Sequence, residues 1–391
     1  MALRVLHAPF VVGGHASNLA RAERALGLDS WSVALQPNLY GHYADEILWK
    51  DTSKKFVNEL RRWRLIWRAA RKFDVIHYNF GTPLTPLVLN SPSAKGNSGR
   101  KLAYETYRRY AALTEFWDVA LLSRLRKAIF VTYQGDDARQ ADFCLSRFEV
   151  SIAAEVDEKY YPAGSDELKR QAISRFDYFA DKIFALNPDL LHVLPKRAQF
   201  LPYAHIDLAE WRPEGSTPGA GARLRIVHAP SHRGAKGTRY VLGAIDRLRN
   251  EGLAFDFLLV ENLPHAEAQS VYRSADLAVD QLLAGWYGGF AVELMALGKP
   301  VICYIRDEDL RFIPSEMARE LPVIPAQPAS IYRVLRECLT ERRTWLAEVG
   351  TRSRAFVERW HDPRKIAAFL RDEYLRVLLE KRQRNRTLRD A

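Results

Sequence analysis

Two stretches of this sequence set cations, glycines and one acid where they could handle a charged ligand. RIVHAPSHRGAKGTRY, from residue 225, carries His232, Arg233 and Lys236 between a β-rich run and an amphipathic one. Further on, AGWYGGFAVELMALGKPV, residues 284–301, leads Gly285, Gly288 and Gly289 straight into an apolar, helix-like segment that holds a single acid, Glu293. Cations beside the free amides expected around Gly237 would clamp a diphosphate. A solvated basic loop would carry the same residues. The three glycines permit close backbone approach, and a helix opening near Gly289 would aim its amides into the groove that Lys236 faces. Glu293 then lies one turn inside that helix. A carboxylate cannot usefully touch phosphate, but it accepts two hydrogen bonds from a diol, so its natural partner is a ribose or a sugar. An acid that merely stabilises the helix start is the other reading.

These residues need a scaffold that brings loops together. In the first half, RVLHAPF (4–10), SWSVAL (30–35), DVIHYNF (74–80), KAIFVTY (127–133), DKIFAL (181–186) and AQFLPY (198–203) alternate with helical segments. The alternation stops at DLAEWRPEGSTPGAGA, which has linker composition. It resumes with RIVHAP (225–230), a helix over 237–250, FDFLLV (255–260), a helix over 265–275, LAVDQL (277–282), a helix over 289–297 and VICYI (301–305). Strands separated by helices predict parallel sheets covered on both faces. The expected architecture is therefore α/β, with two Rossmann-like domains at 1–206 and 225–362, a linker at 207–224 and a helical tail at 363–391 that packs back on the first domain. In such sheets ligands bind beyond the carboxyl ends of strands, where both stretches fall. Neither G-x-G-x-x-G after the first strand nor G-x-x-x-x-G-K-[ST] anywhere is present, which argues against dinucleotide oxidoreductases and P-loop kinases.

HAPSHRGAKGT followed some fifty residues later by GWYGGFAVELMALGKPV resembles the donor half of GT-B glycosyltransferases, most of all the large retaining group called family four. The likeness extends to VGGHASNLARAERAL after the first strand, to VTYQGDD, to NPDLLHVLP and to FLPYAHIDLAEW. It implies two domains facing a cleft and a nucleotide-diphosphate sugar as co-substrate, with no further cofactor and no metal. By position it puts Glu293 on the donor ribose, and Lys236 with Arg233 on the leaving diphosphate. Ser231, His232, Gly237, Asp280, Gln281, Tyr287, Gly288, Gly289 and Phe290 would complete the donor side, and Gly13, Gly14, Gln134 and Asp136 would line the acceptor side. Two positions depart from the pattern. The family's other glutamate, eight residues before Glu293, is Gly285 here, so Asp280 and Gln281 are the candidates to read the donor sugar. Gln134 stands where a histidine is common. Retention of anomeric configuration is implied, and no catalytic base is assigned.

Size and composition agree with this organisation. The 391 residues, 48% hydrophobic, exceed one ordinary core and suit two domains. No apolar run is long enough to span a membrane, and the N-terminus does not read as a signal peptide, so a cytoplasmic protein is expected. Cys144, Cys303 and Cys338 have neither disulfide nor metal-ligand spacing and are expected to be buried thiols. The net charge of +11 asks for an anionic partner. Segment 54–73, KKFVNELRRWRLIWRAARKF, aligns Phe56, Leu60, Trp63, Trp67 and Ala70 in one helical stripe, with eight Lys or Arg against the single acid Glu59. Such a stripe suits either burial against a sheet or an interfacial helix on anionic lipid. Burial is the expected arrangement, with the basic outer face turned to lipid headgroups at the membrane's inner surface. Nucleic acid is disfavoured as a partner because no recognisable nucleic-acid module is present. The reading is thus a sugar transferase acting on a saccharide or lipid-linked hydroxyl acceptor. An epimerase or phosphorylase of the same fold is the alternative within the fold, and a non-catalytic basic binding module the alternative outside it.

Overall fold

The computed structural model describes residues 2–38, 40–88, 98–213 and 223–390. The first half runs β1 (Arg4–Ala8), α1 (His15–Ala25), β2 (Asp29–Ala34), β3 (Glu46–Ile47), α2 (Lys55–Lys72), β4 (Val75–Asn79), α3 (Ser98–Thr114), α4 (Trp117–Arg124), β5 (Ala128–Tyr133), α5 (Ala141–Arg147), α6 (Ser165–Phe179), β6 (Lys182–Ala185) and β7 (Gln199–Phe200). The second runs β8 (Leu224–His228), α7 (Arg233–Lys236), α8 (Thr238–Asn250), β9 (Phe255–Leu259), α9 (His265–Ser274), β10 (Leu277–Val279), α10 (Gly289–Ala296), β11 (Val301–Cys303), α11 (Ser315–Glu320) and β12 (Ile324–Pro325). It closes with α12 (Ile331–Thr340), α13 (Arg343–Trp360) and α14 (Pro363–Asp390). Residues 214–222 of the expected linker lie outside the described residues.

Among the described residues the strands form two sheets, ordered β3-β2-β1-β4-β5-β6-β7 and β12-β11-β10-β8-β9, with every pair parallel. Strands buried on both faces should read as continuous apolar runs, and β5, AIFVTY, is buried at all six positions. Each order reverses direction once, between β1 and β4 in the first sheet and between β8 and β10 in the second. A reversal leaves the following loops splayed apart, which opens a crevice at the strands' carboxyl ends. The loops after β8 and β10 are the two chemistry-bearing stretches read from the sequence.

Helix α14 returns to the first sheet, as expected. Ile366, Ala367, Leu370, Tyr374 and Val377 are buried against Val5, Leu19, Val75 and Phe130. The Tyr374 hydroxyl donates to Glu23 at 3.0 Å and lies 2.8 Å from Nδ1 of His77, while Glu23 also bonds His7 at 2.9 Å and Ser30 at 2.6 Å. A buried polar group is tolerated only with its partners in place, so this network fixes the docking of α14 in one register.

Helix α2 corrects the expected orientation of its stripe. The face turned to the core carries Asn58, Arg62, Leu65, Ile66 and Ala69. Arg62 is tolerated there because its guanidinium donates to the Leu84 carbonyl, pairs with Glu59 at 3.0 Å and lies over Trp49. Phe56, Leu60 and Trp67 instead face solvent, at 77%, 50% and 62% exposure. Of the expected stripe only Trp63 and Ala70 pack partly against the core, beside the buried Leu65, Ile66 and Ala69.

Candidate functional site

Crossing from β8 to β10, the site begins with Lys236 at the end of α7. Its Nζ bonds Oε1 of Gln281 at 2.6 Å and lies 3.7 Å from Oδ1 of Asp280, both just past β10. One cation therefore ties together the loops on either side of the sheet's reversal. Asp280 is engaged a second time: its Oδ2 accepts the Gly288 amide at 2.7 Å, and Gln281 Nε2 donates to the Trp286 carbonyl. Asp280 and Gln281, the candidates to read the donor sugar, thus also hold the glycine loop in shape. A Cβ on Gly288 would come within 3.3 Å of Lys236 Nζ, so the cation lies close against the backbone of the loop.

Helix α10 starts at Gly289, as expected, and has neither a side-chain cap nor an acid in its first turn. Its opening amides therefore keep the partial positive charge that attracts anions. Two neighbouring amides do not contribute as expected. Gly237 donates to the Gly234 carbonyl at 3.1 Å within the short turn of α7, and the Gly288 amide belongs to Asp280.

Glu293 stands one turn into α10, buried. Its Oε1 accepts from Nε2 of His265 at 2.7 Å, and Nε2 of His205 lies at 3.7 Å. Burial raises its pKa, against the pull of His265, and the bond to Glu293 raises that of His265. Each group favours the charged form of the other, but at Glu293 burial outweighs that attraction, while His265 stays partly exposed. His205 contacts the carbonyl of Gly289 at 3.1 Å, and its own carbonyl accepts from Asn18 of α1. The His42 ring lies tilted against that of His265 at 4.7 Å, the His265 amide donates to Tyr40 O at 3.2 Å, and the Tyr40 hydroxyl reaches Ser231 O at 3.4 Å. Burial keeps His42 at a pKa of about 4 and His15, at the start of α1, at about 3. His42 and His15 are thus neutral at pH 7, and among the described residues Lys236 and the α10 amides, with His265 where it is charged against Glu293, are the positive elements around the crevice.

Several expected site residues have other partners. Arg233, placed beside Lys236 as a second cation, is exposed and pairs with Glu261 at 2.8 and 2.6 Å. The His232 imidazole caps α7 by accepting the Ala235 amide at 3.2 Å, with its ring 4.7 Å from that of Tyr160. Tyr287 points into the core rather than the cleft: it is fully buried, stacked on Trp286, with its hydroxyl 2.9 Å from Nε2 of His361. Phe290 packs edge-on to Tyr272. On the first domain, Gly13 and Gly14 adopt left-handed φ immediately before α1. Asp136 accepts from Tyr160 at 2.5 Å, Tyr161 at 2.6 Å and Arg139 at 2.9 Å, so both its oxygens are committed to structure. Gln134 donates its amide to Asp137 at 3.1 Å, and its buried Nε2 has no hydrogen-bond partner.

Position 285 has its own explanation. Gly285 has φ 81° and accepts the Arg306 amide at 2.9 Å. The Arg306 guanidinium fills the space where a side chain at 285 would begin: a Cβ there would lie 2.5 Å from Nη1. That guanidinium bonds Asp309 at 2.8 Å and the Val150 carbonyl at 3.1 Å and lies 3.6 Å over the Phe148 ring, joining the two domains. Asp309 in turn meets Nε2 of His192 at 2.7 Å.

The whole arrangement, two parallel sheets with their crevices opposed, is shared with solved structures. Sucrose-phosphate synthase from Thermosynechococcus elongatus matches over 97% of this chain and 100% of its own, with a TM-score of 0.59 at 14% identity. The chain has the GT-B fold. A glycosyltransferase from Rickettsia africae matches this GT-B chain over 96% of its length and 99% of its own (TM-score 0.56, 14% identity). The Anabaena HepE protein in complex with UDP-glucose matches over 95% and 99% (TM-score 0.55, 11% identity). No protein-family model and no curated protein sequence matches the chain. The likeness is therefore one of architecture, in which the residues around Lys236 and Glu293 occupy the inner face of the second GT-B domain.

His265, His205 and Arg306 were not singled out from the sequence. His265 opens α9 just after β9, and the rule that draws attention to strand-to-helix junctions would have flagged it. Arg306 carries no local signal, because its role depends on Gly285 and Val150, both distant in sequence.

Proposed function

We propose that this protein is a glycosyltransferase that moves a sugar from a nucleotide-diphosphate sugar to a hydroxyl of a saccharide or lipid-linked acceptor. One observation carries the reading: Lys236 Nζ sits against Gly288 at the mouth of α10, whose first turn is uncapped, and Glu293 stands one turn deeper. A diphosphate placed between the lysine and the helix start would have its charge met from both sides. That charge grows as the glycosidic bond breaks, so groups fixed to meet it lower the barrier rather than merely bind. Glu293, with Oε1 held by His265, would face the ribose hydroxyls of the same donor. The first-domain residues across the crevice, Gly13 and Gly14 before α1 and Gln134 after β5, stand on the acceptor's side. We read the reaction as retaining, and as independent of a metal because Lys236 and the α10 amides take that electrostatic part. The similarity of fold to a sucrose-phosphate synthase and to a protein bound to UDP-glucose supports a nucleotide sugar as donor.

A prediction tests the ribose contact. Glu293→Ala is expected to weaken binding of the nucleoside diphosphate by roughly 10- to 100-fold, the worth of a hydrogen bond to a charged group. Calorimetric titration measures it; an unchanged Kd would remove Glu293 from the donor site.

A further inference from the structure

We propose that the exposed face of α2 is a docking surface for an anionic lipid bilayer. The observation is the outward stripe itself. At 100° per residue Phe56, Leu60 and Trp67 fall within a wedge about 40° wide, and all three are exposed. Trp63, on the edge of the wedge, is half-buried and donates through its indole to Tyr110 of α3 at 2.8 Å. A lone exposed apolar residue needs no explanation, whereas a row along three turns of one helix marks a contact surface.

The charge beside this row specifies the occupant. Arg64 and Arg71 flank the wedge, and Arg61, Lys72, Lys54 and Lys55 are also exposed on the same helix and its start. The Arg71 guanidinium lies 5.3 Å over the Trp67 ring, which places cation and indole at one level. The helix's one acid, Glu59, is occupied by Arg62 and Tyr110. Neighbouring helices continue the character: α3 exposes Leu102 and Leu113 beside Arg109, and α4 exposes Trp117 and Leu121 beside Arg124. Indole and phenyl groups at headgroup depth with arginines on the flank are what an interfacial helix requires, and the cations select anionic headgroups. A nucleic acid would satisfy the arginines but leave Phe56 and Leu60 without an apolar environment. A second copy of the chain would bring the same positive charge against itself. Among the described residues no helix is long and apolar enough to cross a membrane, so the attachment is to the surface.

Vesicle co-sedimentation of the full chain tests the proposal without reference to enzymatic activity. Vesicles of phosphatidylcholine with about one-third phosphatidylglycerol should bind the protein at least tenfold more tightly than pure phosphatidylcholine, and 0.5 M NaCl should remove most of that difference. Arg64→Glu/Arg71→Glu should lower the affinity for anionic vesicles by about tenfold or more. Phe56→Ser/Leu60→Ser/Trp67→Ser should lower it by a comparable factor and reduce it also at high salt. All five positions are exposed, so thermal unfolding should stay near the wild-type midpoint, and the single change Trp67→Ser serves should the triple variant unfold early. Equal binding to both vesicle types, or full binding by the apolar variants, overturns the proposal. So does absence of vesicle binding together with salt-dependent oligonucleotide binding, or with self-association that the apolar variants abolish.

Discussion

Replacing Lys236 by alanine is expected to cut glycosyl transfer by about 10²–10³-fold while the protein stays folded, the loss found when one preorganised donor to a developing negative charge is removed. The contacts of the ammonium are the reason. Its bond to Gln281 at 2.6 Å joins the loops after β8 and β10, and Gly288 offers no side chain to keep it from the mouth of α10. The fold does not depend on it, because Asp280 keeps its bond to the Gly288 amide and Gln281 keeps the Trp286 carbonyl. Lys236→Arg should restore only part of the rate, since a planar fork cannot take the position of a compact ammonium. Steady-state turnover of the donor, with the folded state checked by circular dichroism, reads the effect. Near-normal turnover in the alanine variant would remove Lys236 from the reaction.

The second large effect is on stability. Gly285→Glu restores the acid that the sequence pattern leads one to expect, and it should destabilise the protein by about 4 kcal/mol or more without improving donor binding. A non-glycine residue in left-handed geometry costs about 1–2 kcal/mol, and Gly285 has φ 81°. The larger part comes from Arg306, whose Nη1 lies 2.5 Å from the new Cβ. Driving that guanidinium out would leave buried Asp309 with only His192 as a partner, and breaking a buried ion pair costs about 3–5 kcal/mol. It would also release Val150 and Phe148, the first-domain partners of Arg306. Urea unfolding of the variant measures the loss; wild-type stability with tighter donor binding would contradict this account of position 285. The missing carboxylate is thus coupled to a gained contact between domains.

What the sequence made legible, and what it did not, divides along local and non-local lines. The strands of both sheets and the start of α10 at Gly289 are set by short-range pattern, and the two-residue edge strands β3 and β12 escaped because they are too short to have one. The Lys236 and Glu293 stretches lie at the crevice because the reversal of strand order places them there. Glycines on both sides of Tyr287 suggest a loop at a ligand, whereas its burial depends on a bond to His361 in the turn between α13 and α14, far along the chain. Periodicity revealed the α2 stripe but not its direction: Leu65, Ile66 and Ala69 on a neighbouring face do most of the covering, and of the stripe only Trp63 and Ala70 join them. The pairing of Glu293 with His265 and of Arg306 with Gly285 joins residues that only the folded chain brings together.

The central claim is that the crevice between Lys236, the start of α10 and Glu293 binds the diphosphate and ribose of a nucleotide sugar. Thermal unfolding in the presence of a panel of nucleoside diphosphates and nucleotide sugars tests it most directly. A ligand that binds only the native state at a hundred times its Kd adds about 2.7 kcal/mol of stability, so one nucleotide class should raise the Tm in proportion to the logarithm of its concentration. That rise should shrink in both Lys236→Ala and Glu293→Ala. A panel with no effect on the wild-type protein, or a rise that both variants retain in full, would contradict the account.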